Sequence, residues 1–131
     1  MEHVDGEPLL GHLRSVFRFN EEKTKFYVMQ IVLALRALHR QNIVYRNLKP
    51  ESILIDKDGY IKLIDFTLST QLKEADDTTH SFVGTADYMA PEIISKEGHS
   101  FEADWWALGV LTFEMVYGFP PFYTNSEEGD N

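Results

Sequence analysis

The chain has no cysteine, which excludes disulfides, thiol catalysis and cysteine-ligated zinc and suits a cytoplasmic protein. Basic residues are scarce: 12 Lys and Arg against 21 Asp and Glu give a formal net charge of -9. Nucleic-acid affinity comes mainly from neutralising phosphates, so nucleic acid is not an expected partner. Acidic clusters favour a protein or a basic peptide instead. Long apolar runs are also missing. The most apolar stretch, Trp105 to Leu111, is soon followed by Glu114. It is too short to span a membrane and reads as a buried helix, so no membrane association is expected. The N-terminal residues are acidic and polar, without the pattern of a secretory signal. His3, His12, His39, His80 and His99 show no H-E-x-x-H or related ligand spacing, and surface or packing roles are expected for all five.

What is present is enough for a core. Hydrophobic residues make up 44% of the chain and aromatics 13%, so general disorder is excluded, and 131 residues allow one domain at most. There is no internal repeat and no low-complexity tract. Met1 to Val4 has extended character, and Asp5-Gly6-Glu7-Pro8 is a turn signal. Leu9 to Val16 is a short helical pattern with Leu9, Leu10, Leu13 and Val16 on one face. Asn20 is a plausible N-cap for a longer helix from Glu21 to about Arg40, with Glu21 and Glu22 complementing its dipole. Phe26, Met29, Val32 or Leu33 and Leu38 form its apolar stripe, widened by Val28, Ile31 and Leu35. A helix apolar over so much of its circumference belongs inside a larger protein.

After Gln41-Asn42, Ile43 to Tyr45 is a short strand, and Ile53 to Ile55 and Tyr60 to Ile64 are the arms of a hairpin closed by Asp56-Lys57-Asp58-Gly59. Leu68 to Phe82 is polar and is expected to be a mobile loop. A short helix follows at Glu92 to Ser95. A second buried helix runs from about Glu102 to Tyr117, with Ser100 as candidate cap and Gly118 as stop. Thr124 to Asn131 reads as a frayed polar tail. The fold class is α+β, mainly helical with a small β-hairpin.

The stretch Tyr45-Arg46-Asn47-Leu48-Lys49-Pro50-Glu51-Ser52 sits between helix and strand, where loops carry catalytic groups. It resembles the protein kinase catalytic loop H-R-D-L-x-x-x-N. Asp65-Phe66-Thr67, after the hairpin, resembles D-F-G. Gly84-Thr85 followed by Ala90-Pro91-Glu92 resembles the end of an activation segment, and Asp104-Trp105-Trp106-Ala107-Leu108-Gly109 the start of the central helix of a kinase C-lobe. The order of the motifs is that of the family. Tyr-Arg in the loop and the run at 104–110 resemble the AGC group, of the cyclic-AMP-dependent kinase type, which implies Ser/Thr-directed ancestry. The resemblance implies a partial kinase domain over 1–131: hinge at 1–8, two helices at 9–40, catalytic loop and hairpin at 43–67, activation segment at 68–92, central helix at 100–118 and tail at 124–131. A Gly-rich loop and the phosphate-anchoring Lys of an N-lobe are not among these residues.

The resemblance also assigns roles. Asn47 stands where the catalytic Asp accepts the substrate proton, and an amide is no base near neutral pH. Lys49 contacts the transferring phosphate in the family; alternatively it is a solvated lysine. Arg46 resembles the arginine that pairs with a phosphorylated loop, with Ser81, four residues before Thr85, at the modified position. An Arg46 held by backbone carbonyls is the other reading. ATP and Mg2+ are the cofactors the family implies. Asp65 is the metal carboxylate, and Ser52 replaces a metal-binding Asn with a weaker hydroxyl ligand. Thr67 replaces a Gly, making the segment after Phe66 less able to switch. Met1, Glu2, Val4 and Leu54 stand at nucleotide positions, and Leu54, Leu9, Leu111 and Met115 match the adenine site and the apolar column beneath it or serve as core.

Phe66, Tyr45 and Asp104 resemble members of the internal stack, with Asp104 expected to accept hydrogen bonds from the catalytic-loop backbone. Glu92 is expected to be a buried carboxylate without its usual arginine. Glu51 and Glu114 match acids that grip arginines of peptide substrates; the companion acid is replaced by Pro8, with Glu7 one residue earlier. Three functions follow as expectations: a catalytically impaired AGC-type pseudokinase acting by binding or regulation, an active Ser/Thr kinase seen as a fragment, or a non-catalytic interaction fragment.

Overall fold

The structure is a computed structural model that describes residues 6–74 and 76–122. Met1, Glu2, Val4 and the tail at 124–131 lie outside the described residues. The elements run β1 (Glu7–Pro8), α1 (Leu9–Val16), α2 (Glu21–Arg40), β2 (Ile43–Val44), β3 (Ile53–Ile55), β4 (Ile61–Leu63), β5 (Thr70–Gln71), α3 (Pro91–Ile94) and α4 (Glu102–Tyr117). Short 3-10 turns occupy Pro50–Ser52 and Ala86–Tyr88. The architecture is mixed, with helices and two small antiparallel sheets ordered β1-β3-β4 and β2-β5.

Local chemistry explains the helix ends. The Asn20 side chain accepts the Lys23 N–H at 2.8 Å, and its carbonyl accepts the Thr24 N–H and hydroxyl, so α2 starts there. Gly118 ends α4 in the left-handed region at φ 91°, its N–H bonded to the Glu114 carbonyl at 2.7 Å. A Cβ at 118 would lie 2.8 Å from the Phe17 carbonyl oxygen, so glycine is required there for space as well as for φ. At the start of α4 the expected Ser100 cap is not made by its side chain. The Ser100 and Phe101 carbonyls accept the Ala103 and Asp104 N–H groups instead.

The core forms where α2 crosses α4 and α1 closes one end. Leu9, Ile31, Leu35, Tyr45, Ile53, Leu111 and Met115 are all fully enclosed. The packing face of α2 is Thr24, Tyr27, Ile31 and Leu35, spaced three and four apart. The stripe expected from sequence is therefore wrong in part: Phe26, Met29 and Leu33 are exposed at 47%, 66% and 63%. Apolar residues nearly encircle this helix, so periodicity alone leaves its rotation open, and α4 sets it. On α1 the buried pair is Leu9 and Leu13, while Val16 is exposed. On α4, Ala107, Leu108, Val110 and Leu111 are buried, but Trp105 and Trp106 are partly open, so the run is only half interior.

The hairpin has Leu54 opposite Lys62, and Pro8 opposite Leu54 on its other edge. Its turn is closed by Asp56, whose Oδ1 accepts the Asp58 and Tyr60 N–H groups at 2.9 and 3.0 Å. The expectation of a mobile loop from Leu68 to Phe82 is corrected at two places. Thr70–Gln71 pairs with Ile43–Val44, with Leu72 buried and its N–H on the Asn42 carbonyl at 2.7 Å. Thr79 bridges His99. Both contacts are long-range, and a two-residue strand leaves no periodic trace in a polar stretch.

The rotation of α2 is directly testable. Ile31→Ala removes a fully buried side chain and should cost about 2–5 kcal/mol in urea unfolding. Met29→Ala should stay within about 0.5 kcal/mol of the parent. Equal losses would contradict the assigned face.

Candidate functional site

The loop from Tyr45 to Ser52 is held from below by one carboxylate. Asp104, in the first turn of α4, is completely buried. Its Oδ2 accepts the Tyr45 N–H and the His39 Nε2 donor at 2.8 Å each, and its Oδ1 accepts the Arg46 N–H at 2.8 Å. Charge-assisted bonds from three donors are what let a carboxylate sit in the interior. Arg46 takes a left-handed φ of 62°, and its Nε donates to the Leu68 carbonyl at 2.7 Å. The backbone-carbonyl contact expected as one of two readings of Arg46 is thus present, while its Nη1 is buried without a partner among the described residues.

Above this base the residues of interest face Asp65 and Thr85. Asn47 is buried and donates its Nδ2 to the Asp65 carbonyl at 3.2 Å. Lys49 reaches from the loop to Thr85, Nζ to Oγ1 at 3.0 Å. Asp65 is exposed and has a left-handed φ of 61°. Its Oδ1 accepts both the Thr67 hydroxyl and the Thr67 N–H. Those two bonds, with smaller contributions from Asn47 and Lys49, hold the Asp65 carboxyl below the usual carboxylate range. Phe66 meets the Tyr45 ring edge-on at 5.3 Å between centroids and is otherwise half open. Tyr45 is wholly buried and donates its hydroxyl to the Ile64 carbonyl; burial pushes its phenol up and the Ser52 hydroxyl beside it partly offsets this.

Ser52 is 2% exposed and lies in the loop interior beside the Tyr45 phenol. Among the described residues no three His, Asp or Glu gather as a metal cluster. Asp65 presents an exposed carboxylate beside the loop. Leu54 is half-buried in β3, and Leu9, Leu111 and Met115 lie in the core.

Glu51 and Glu114 are brought together. They line one cleft with Asp87, Tyr88, Thr85 and Arg14. Glu114 is 7% exposed and accepts the Tyr88 hydroxyl. Burial pushes the Glu114 carboxyl above its ordinary value; the Tyr88 bond opposes this, and the nearby charges of Glu51 and Asp87 add to it. Glu7 pairs with His12 at 3.4 Å, outside this cleft. Glu92 is corrected: it is half-buried rather than buried, and it makes no ion pair with a described residue. Ser81 is exposed. Three participants were missed in the sequence: His39, which had been given a surface or packing role, and Tyr88 and Asp87. The position of His39 in the last turn of α2, just before the loop, is its only local signal.

The protein kinase domain model matches residues 1–131. The chain belongs to the protein kinase family. Its curated relatives place it with the cyclic-AMP-dependent, AGC-type Ser/Thr kinases. It is 52% identical over 122 residues to the cAMP-dependent protein kinase catalytic subunit of Dictyostelium discoideum, covering 93% of this chain and 18% of that protein. It is 47% identical over 129 residues to the cAMP-dependent protein kinase catalytic subunit PRKX of Homo sapiens, covering 98% and 35%. It is 48% identical over 122 residues to ribosomal protein S6 kinase beta of Caenorhabditis elegans, covering 93% and 22%. The chain therefore spans between 18% and 35% of the length of these relatives.

Two measurements test the site. Asp104→Ala strands buried donors and should cost about 3–5 kcal/mol in denaturant unfolding, with Asp104→Asn losing less because an amide oxygen still accepts. Glu114→Gln should stabilise the fold at pH 7, because a buried carboxyl with a raised pKa favours its neutral form. The gap should grow as pH rises from the ordinary carboxylate value of about 4.3 and close below it. A pH-independent gap would contradict the burial of that charge.

Proposed function

We propose that this chain is the mainly helical C-lobe of an AGC-type kinase domain that is impaired in phosphotransfer. It acts by binding, as a pseudokinase that takes a protein or basic peptide in the cytoplasm. The segmentation follows: catalytic loop and hairpin at 43–67, activation segment at 68–92 and central helix at 100–118. The observation that carries the reading is Asn47. Its amide sits buried at the position of the proton acceptor and donates to the Asp65 carbonyl, so the group there holds the loop rather than taking a proton. The inward Ser52 and the Thr67 hydroxyl on Asp65 support it, since both reduce what is offered to a Mg2+–ATP complex. The acidic cleft of Glu51, Asp87 and Glu114 supports a basic peptide as the partner.

A second reading, an active Ser/Thr kinase, is favoured by the Lys49–Thr85 bond and by the ionised Asp65. Phosphotransfer by the protein as encoded separates the two. The wild type should show no turnover on a basic Ser/Thr peptide. Asn47→Asp combined with Ser52→Asn and Thr67→Gly should gain up to roughly 10²–10⁴-fold if the remaining machinery is complete. Wild-type turnover that Lys49→Ala abolishes would overturn the proposal.

A further inference from the structure

Arg46 Nη1 and His99 Nε2 are the two buried side-chain polar atoms without a hydrogen-bond partner among the described residues. Both are buried, and the Arg46 charge disfavours a proton on the His99 imidazole. His99 lies in the connection between α3 and α4 and is 3% exposed. Its backbone is also the anchor of the segment before Ser81: Thr79 N–H bonds the His99 carbonyl at 2.9 Å, and His99 N–H bonds the Thr79 carbonyl at 2.8 Å. One residue therefore joins a backbone clip to a buried ring set against a permanent cation. We infer that His99 is a proton-sensitive latch that holds the segment around Thr79 closed while its imidazole is neutral.

The physical argument is local. Arg46 is held by its backbone N–H on Asp104 and by its Nε on the Leu68 carbonyl, so its charge stays in this interior. A proton taken up by His99 places a second cation beside it with no hydrogen-bond acceptor at Nε2. The charged groups acting on His99 come from four elements: Arg46 from the catalytic loop, Glu92 from α3, Asp104 from α4 and His80 from the segment itself. Burial lowers the imidazole first and Arg46 second; Glu92 and Asp104 oppose, and His80 adds to the lowering. Asp104 is already saturated by the backbone of Tyr45 and Arg46 and by His39, so it gives the proton no bond. The imidazolium gains water by parting from Thr79, which breaks both bridge bonds and releases the residues leading to exposed Ser81.

The sign follows from linkage. The open form titrates near the ordinary imidazole value of about 6.5 and the closed form lower. Closure is thus unaffected well above that value and weakens as pH falls through it, until the depressed value of the closed form is passed. The latch does not depend on whether phosphotransfer is lost, because it concerns backbone pairing rather than chemistry at Asn47.

Amide hydrogen exchange on the protein as encoded tests it. Between pH 7.5 and 5.5 the protection factor of the Thr79 amide, corrected for intrinsic exchange, should fall by up to about tenfold, while the Ile31 and Leu111 amides stay protected. His99→Gln should flatten the Thr79 profile, and His80→Ala should keep it. Unchanged Thr79 protection in the wild type, a pH dependence that survives His99→Gln, or one that disappears with His80→Ala would each overturn the latch. If His99→Gln does not fold, the ring titration of His99 in the wild type decides. A midpoint below about 6.5 supports the latch, and one at or above it overturns it.

Discussion

The site depends on the buried carboxylate of Asp104. It joins parts of the chain that are 58 to 65 residues apart, taking N–H donors from Tyr45 and Arg46 and the ring of His39. A lone carboxylate in an apolar interior would be strongly unfavourable. Here three donors at 2.8 Å replace its water, and its place in the first turn of α4 adds the favourable end of the helix dipole. The same bonds account for the left-handed backbone of Arg46: its N–H is fixed at Asp104 and its side chain at the Leu68 carbonyl, so the unusual φ is imposed from both sides.

From that anchor the polar groups satisfy one another. Asn47 meets the Asp65 carbonyl, Thr67 meets the Asp65 carboxylate, and Lys49 meets Thr85. These contacts tie the loop from Tyr45 to Ser52 to the stretch after β4 and to the 3-10 turn before α3. The acidic cleft lies to the side, between α1, α4 and that turn, and is organised differently. Glu114 is buried against the Tyr88 hydroxyl and its carboxyl is pushed above its ordinary value by that burial, while Glu51 and Asp87 line the same cleft.

The helices were legible because their ends are local. Asn20, Gly118 and the first-turn acids of α2 are read within a turn of where they act, and the ranges of α1, α2 and α4 follow from them. The buried face of α1 was legible at Leu9 and Leu13, but that of α2 was not, because Phe26, Met29 and Leu33 are as apolar as Tyr27, Ile31 and Leu35, and only the position of α4 distinguishes them. The order of motifs marked the loop, Asp65, Thr85 and Asp104. The partners that make these a site were hidden when they lay far along the chain: His39 on Asp104, Tyr88 on Glu114 and Thr79 on His99. Each pairs ordinary residue types in no local pattern, so nothing short of the tertiary fold brings them together.

The way the loop is held also explains how its chemistry can change without loss of shape. Its backbone is fixed at Tyr45 and Arg46 by Asp104, and at Ser52 by two further bonds, Ser52 N–H to the Lys49 carbonyl and Ile64 N–H to the Ser52 carbonyl. None of these bonds uses the side chain at 47 or at 52. The Asn47 amide finds its partner in the Asp65 carbonyl. The Ser52 hydroxyl lies beside the Tyr45 phenol. Backbone support and side-chain contacts are therefore distinct in this loop: Asp104 and the main chain fix the backbone at Tyr45, Arg46 and Ser52, and the side chain of Asn47 adds one tie to the Asp65 carbonyl. Substitution at Asp104 would be expected to disturb every position of the loop, whereas substitution at Asn47 alters one functional group on a frame that other residues maintain.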